Sequence, residues 1–153
     1  MKNNSKIIRS NKSGWDGMER KEYKTDSTIF REVSRYSLLG EGENEHELNF
    51  QTRYFQVEKG GYSSLEKHRH PHSVVVIKGS GSIILGNEVH TLKTHDVVYI
   101  SPETIHQFHA DNNEILGFIC IVDRYRDKPV LPTDEELKEV WGDQSEARKK
   151  ARR

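Results

Sequence analysis

Short apolar segments recur along the middle of this chain, and each is cut off by a turn signal before it reaches helical length. Residues 51–58 alternate in polarity and end at Lys59-Gly60-Gly61. Residues 62–68 run into a break at Arg69-His70-Pro71. Residues 72–78 stop at Gly79-Ser80-Gly81, 82–85 at Gly86-Asn87, and 88–92 at a turn over 93–96. Residues 97–100 precede Ser101-Pro102-Glu103, 104–110 end at Asp111-Asn112-Asn113, and 115–122 close the series. Strands this short, with turns this frequent, bury a core only by folding two faces together, as a sandwich or a barrel. Gly86-Asn87 between two β-branched runs is a hairpin signal.

The flanks read differently. Residues 1–27 are polar and lysine-rich around Gly14-Trp15-Asp16-Gly17, an extension ordered in part, with Trp15 as the residue to dock on the barrel. A strand-like segment over 28–39 opens the β domain, which is set at 28–123. Residues 124–153 hold an extended stretch around Pro129 and Pro132, a short helix and a basic tail. Thr133 and Glu136 form a capping box for that helix, with Leu137, Val140 and Trp141 as its apolar stripe. The tail 147–153 reads as a solvated, frayed end, since nothing aromatic or glycine-rich accompanies its charges.

Only 33% of the 153 residues are hydrophobic and 31% are charged, with 24 basic against 24 acidic side chains. A neutral chain has no global field to recruit nucleic acid or an anionic membrane. No segment reads as a membrane span or signal peptide. The single cysteine, Cys120, sits in the apolar run Gly117-Phe-Ile-Cys-Ile-Val122 and reads as a small buried strand residue. With no partner for a disulfide, a reducing compartment, the cytoplasm, is the expected location.

Five of the eight histidines fall in two patches, Glu66-Lys-His68-Arg-His70-Pro-His72 and His106-Gln-Phe-His109. Neutral imidazole is the commonest side-chain ligand for first-row divalent metals. In one unbroken strand the first patch would span about 20 Å, too far for one ion. Pro71 cannot continue a central ladder, so the chain should turn there and restart at His72. Glu66 and His68 then come from one strand end and His72 from the next. Glu66-x-His68-x3-His72 is favoured over a set built on His68 and His70, and both remain open. His106, after Pro102, is the candidate fourth ligand. His70 stays in the turn as an alternative ligand or supporting neighbour. His109, at an odd offset from His106, should face the other side of its strand; His46, His90 and His95 read as isolated surface groups. Such a set suits Mn, Fe, Ni, Zn or Cu.

The stretch from Gln51 to Val122 resembles a cupin. Gly61 precedes the first patch and Gly79 closes it, and His95-Asp96 followed by Pro102 and His106 is similar to the second cupin motif. The resemblance implies a single double-stranded β-helix (jelly-roll) barrel, all-β apart from the C-terminal helix. It also implies one divalent metal held by Glu66, His68, His72 and His106. Three departures stand out: Glu66 occupies the first histidine's place, His72 that of the usual glutamate, and His95 that of the turn glycine. The resemblance implies a small-molecule ligand or substrate and a homodimer, with the 28–39 strand a participant. The expected function is a metal-dependent enzyme on a small polar carboxylate, carbonyl or hydroxyl compound, its reaction class open. The alternative is a non-catalytic metal or small-ligand binding module. Tyr62 and Tyr99 are acid–base candidates if they face the lumen.

Overall fold

The computed structural model describes residues 3–24 and 28–153, so the boundary drawn at residue 27 lies outside the described residues. Among the described residues ten strands and two short helices follow in order: β1 (Ser10–Asn11), β2 (Gly14–Trp15), β3 (Lys21–Glu22), β4 (Arg31–Leu39), β5 (Phe50–Tyr62), β6 (His72–Leu85), β7 (Glu88–Lys93), β8 (Val97–Ile100), β9 (His106–His109), β10 (Leu116–Asp123), α1 (Asp134–Trp141) and α2 (Glu146–Lys150).

The barrel closes because β10 pairs with both β5 and β6, and β9 also bridges β6 and β5. β7 and β8 attach to the far and near halves of β6, and β4 and β3 extend the sheet beyond β5. Inward positions follow the two-residue period of the strands. Phe55, Val57, Val74, Val76, Ile83, Phe108, Leu116 and Phe118 fill the lumen. The Phe108 and Phe118 rings stack at 4.3 Å, and Phe55 adds to the same pile at 5.5 Å from Phe118.

Gly79 and Gly60-Gly61 were expected to end strands, but β5 and β6 run through them as 13- and 14-residue elements. Gly79 sits at φ +65° beside a register shift at Gly117/Phe118, so it is a bulge that bends β6 without stopping it. A Cβ there would lie 1.7 Å from the Ile115 carbonyl oxygen, which only glycine permits.

The N-terminal extension is more involved in the barrel than its composition suggests. β3 pairs with β4, and Trp15 packs on Tyr54 and Tyr36 at 4.6 and 5.4 Å between ring centroids. At the other end the Thr133–Glu136 capping box forms as expected. Trp141 donates its indole N–H to the Gly86 carbonyl at 2.8 Å, and with Leu137 and Ala147 it packs on Leu65, Ile84 and Ile105. The basic tail is not frayed. Ser145 caps α2, and Gln107 exchanges two 2.9 Å hydrogen bonds with the backbone of Arg152, docking the tail on the outer face of β9.

Candidate metal centre

Pro71 breaks the chain where expected. Before it, Glu66 makes an isolated antiparallel bridge with His106, its N–H donating to the His106 carbonyl at 3.1 Å and its carbonyl accepting from the His106 N–H at 2.9 Å. After it, His72 opens β6 opposite Ile100 of β8. Two strand ends and the start of β9 therefore meet at one end of the lumen.

His68, His72 and His106 come together there. All three are buried, and their ligand atoms lie within 4.8 Å of one another, a cluster that can hold a metal ion. The ring hydrogen bonds fix which nitrogens face inward. The Nδ1 of His68 donates to the His70 carbonyl (2.7 Å) and that of His106 to the Thr104 carbonyl (2.9 Å). A ring nitrogen facing a carbonyl carries the proton, so each Nε2 keeps its lone pair. The Nε2 of His68 is buried with no hydrogen-bond partner, as a nitrogen waiting for a cation would be. Burial, before all else, lowers the pKa of all three imidazoles and keeps them in the neutral form that binds metal.

Glu66 stands beside this trio, its Oε1 3.9 Å from His106 Nε2. Its Oε2 takes Lys24 Nζ and Ser64 Oγ, both at 2.5 Å, and Tyr23 reaches Ser64 at 3.0 Å. Burial works to raise the Glu66 carboxyl, but the Lys24 charge and the hydrogen bonds from Lys24 and Ser64 hold the group below its usual range. His70 stacks on His68 at 3.8 Å, and its Nε2 lies 3.0 Å from that of His72. Its backbone N–H and Nδ1 both donate to Asp127 Oδ1, and the Arg69 N–H donates to Oδ2. Those bonds keep Asp127 ionised well below the usual carboxylate range against the cost of burial.

Three site neighbours escaped the sequence reading: Asp127, Lys24 and the surroundings of Cys120. The thiol is buried, as expected, yet its neighbours are polar. Its Sγ lies 3.6 Å from His72 Nδ1 and accepts from Arg53 at 3.5 Å. It lines a small cavity of about 30 Å³ with Tyr23, Glu66, His72 and His106, whereas larger hollows such as those beside residues 3–6 and Trp15 lie on the outer surface. Burial raises the Cys120 pKa, and Arg53 opposes it. Tyr62 and Tyr99 do not face the lumen. Tyr99 is 66% exposed on the outer face of β8, and Tyr62 pairs with His109 on the outer side of β9. His109 does face away from His106, as its offset predicts, and it is buried beneath the C-terminal segment.

The comparisons follow this geometry. The family model described as "Cupin domain" matches residues 53–122. The chain is 40% identical over 135 residues to the 1-methylthio-D-xylulose 5-phosphate methylsulfurylase of Rhodospirillum rubrum, covering 87% of this chain and 83% of that protein. It is also similar to the crystal structure of a cupin 2 conserved barrel domain protein from Rhodopseudomonas palustris, at 37% identity and TM-score 0.78 over 88% of this chain and 91% of that one. A cupin 2 domain-containing protein from Halorhodospira halophila matches at 37% identity and TM-score 0.74, over 95% and 94% of the two chains. With its closed barrel, its histidine cluster and these relatives, the chain belongs to the cupin family.

Proposed function

We propose that this cupin is a metal-dependent enzyme in which His68, His72 and His106 hold one divalent transition ion through their Nε2 atoms, with Glu66 as fourth ligand. The observation that carries the reading is the unpartnered, buried Nε2 of His68, whose Nδ1 proton, like that of neighbouring His106, is already spent on a carbonyl. When bound, the ion supplies Lewis acidity to a carbonyl or hydroxyl oxygen.

For the substrate we propose an α-methylthio ketose phosphate, supported by the methylsulfurylase relative and by the thiol in the cavity. With His72 Nε2 on the metal side, its Nδ1–H points at Cys120 Sγ, and Arg53 donates to the same sulfur. Two donors favour the thiolate where burial alone would favour the thiol. The thiolate attacks the methylthio sulfur. An S–S bond forms, the C–S bond breaks, and its electron pair passes to the carbon next to the carbonyl as an enolate, which takes up a proton. A small external thiol then releases the methylsulfanyl group as a mixed disulfide and restores Cys120.

The protein has one cysteine, so the covalent step reads out cleanly. Metal-loaded protein mixed with the substrate in the absence of thiol should gain one methylsulfanyl group by intact mass, and the Cys120→Ser variant none. Untagged protein should carry one equivalent of metal, reduced to background in the His68→Ala/His106→Ala double variant. Full metal content in that variant would defeat the ligand set; full metal without an adduct would make the protein a binding module.

A working thiol suits a reducing compartment, and the proposed location is the cytoplasm. No helix among the described residues is long and apolar enough to cross a membrane. The proposed assembly is a homodimer through the outer face of β8, β6 and β10, where Val97, Tyr99, Ile77 and Ile121 are exposed together. Tyr99→Arg should yield monomers in light scattering.

A further inference from the structure

Beyond the histidines, the polar end of the lumen collects guanidinium groups that are not paired with its acids. Arg53 of β5 lies on the same strand face as Phe55 and Val57, which are core residues. It is 9% exposed, its one hydrogen bond goes to Cys120, and its Nε has no partner. Arg35 of β4 pairs opposite Phe55, which places it on that face too, and its Nε is likewise buried and unpartnered. Arg126, just past β10, reaches Gln51 Oε1 at 2.7 Å and the Asp123 carbonyl at 3.1 Å. Gln51 is two residues from Arg53 and on its face.

Among the described residues none of the three makes an ion pair. The nearby acid, Glu41, is bound to Lys21 at 3.0 Å, and Lys21 pairs across from Arg35. Glu66 and Asp127, the other acids at this end, are already engaged by Lys24 and His70, so none of the three arginines has a carboxylate of its own. Burial, then the charges of Arg53 and Arg35, lower the pKa of Arg126, so the groups sense one another. Gathering like charges in a low-dielectric space is costly unless an anion completes the set. Guanidinium forks match the oxygens of a tetrahedral oxyanion better than an ammonium does.

We propose that Arg35, Arg53 and Arg126 form an oxyanion pocket that holds the phosphate monoester of the small molecule treated at the histidine cluster. Three forks can address three oxygens of one dianion, whereas a carboxylate offers two. Its assignment to substrate rests on the function proposed above; the anion site itself does not need the metal.

The probe is inorganic phosphate, titrated calorimetrically into the full chain in both metal-loaded and chelator-treated forms, with acetate as control. One phosphate per chain should bind in both forms, and acetate should not compete. Arg126→Gln and Arg35→Gln should each weaken binding about tenfold or more, the loss of one charge-assisted contact. These two positions are only half-buried, so they serve even if Arg53→Gln fails to fold. Unchanged phosphate affinity in both variants overturns the pocket, as does binding that needs the metal and ignores the arginines. Arginine-dependent binding in a chain that carries no metal keeps the pocket and defeats the metal-centre reading instead.

Discussion

β9 has two faces, and both are buried, but for opposite reasons. Inward, His106 and Phe108 meet the histidine cluster and the phenylalanine stack. Outward, Gln107 and His109 lie under the C-terminal segment, Gln107 bonded to the Arg152 backbone. Both histidines have fewer partners than they could use: the Nε2 side of His106 looks into the cluster, and His109 Nε2 has no hydrogen bond at all. Depth alone therefore does not mark a functional histidine. His106 is distinguished by two further imidazoles within ligand distance, whereas His109 is surrounded by Lys150, Arg152 and Asp111. The inner face gathers ligand-type groups, and the outer holds the barrel together.

Substitutions on the two faces should separate these jobs. The largest stability effect belongs outside. Trp141→Ala removes a buried ring and its bond to Gly86, at a cost of about 3–5 kcal/mol in denaturant unfolding. The folded fraction should still bind its full metal equivalent, and loss of metal in folded protein would mean the two faces are coupled. Inside, Asp127→Asn leaves His70 poorly oriented next to His68 and His72, and should weaken metal affinity by about 10–100-fold with little change in unfolding. An unchanged affinity would remove His70 from the site's support.

The smallest effect is a pH slope. Burial first, then Lys150 and Arg152, hold His109 down to about 4, against an ordinary value of 6.5. The unfolded chain therefore binds the proton first as pH falls. The neutral ring's contribution is intact above about pH 6.5 and is lost as pH drops toward 4. His109→Gln should flatten unfolding free energy over that window in chelator-treated protein, where metal release cannot contribute. A slope as steep as the wild type would assign it to the inner histidines.

Much of this was legible in the sequence. The period-two runs and turn signals specified a sandwich or a barrel, the cupin resemblance narrowed this to a jelly roll, and Pro71 placed the corner that lets His68 and His72 face each other. What escaped depends on register between distant segments. Asp127 meets His70 across 57 positions, and Arg53 meets Cys120 across 67. No local pattern encodes which residue of β5 pairs with which of β10. Lys24 was hidden by its polar surroundings, although it reaches Glu66 with an almost buried side chain. α2 was missed because it carries one apolar residue, Ala147, and docks largely through backbone hydrogen bonds that composition does not reveal.

β6 adds a kinetic consequence. It is hydrogen-bonded along its length to β7, β8, β9 and β10, so its central amides should exchange with solvent only when the whole barrel opens. His72 starts on that slow element, whereas His68 lies outside any strand, four residues before it, in a stretch tied down by bonds to Glu103 and Asp127. An ion held by both would have one anchor on the most persistent part of the molecule and one on a segment that can open locally. The rate at which a bound metal escapes would then be set by the loosening of residues 67–71, not by the global stability of the fold.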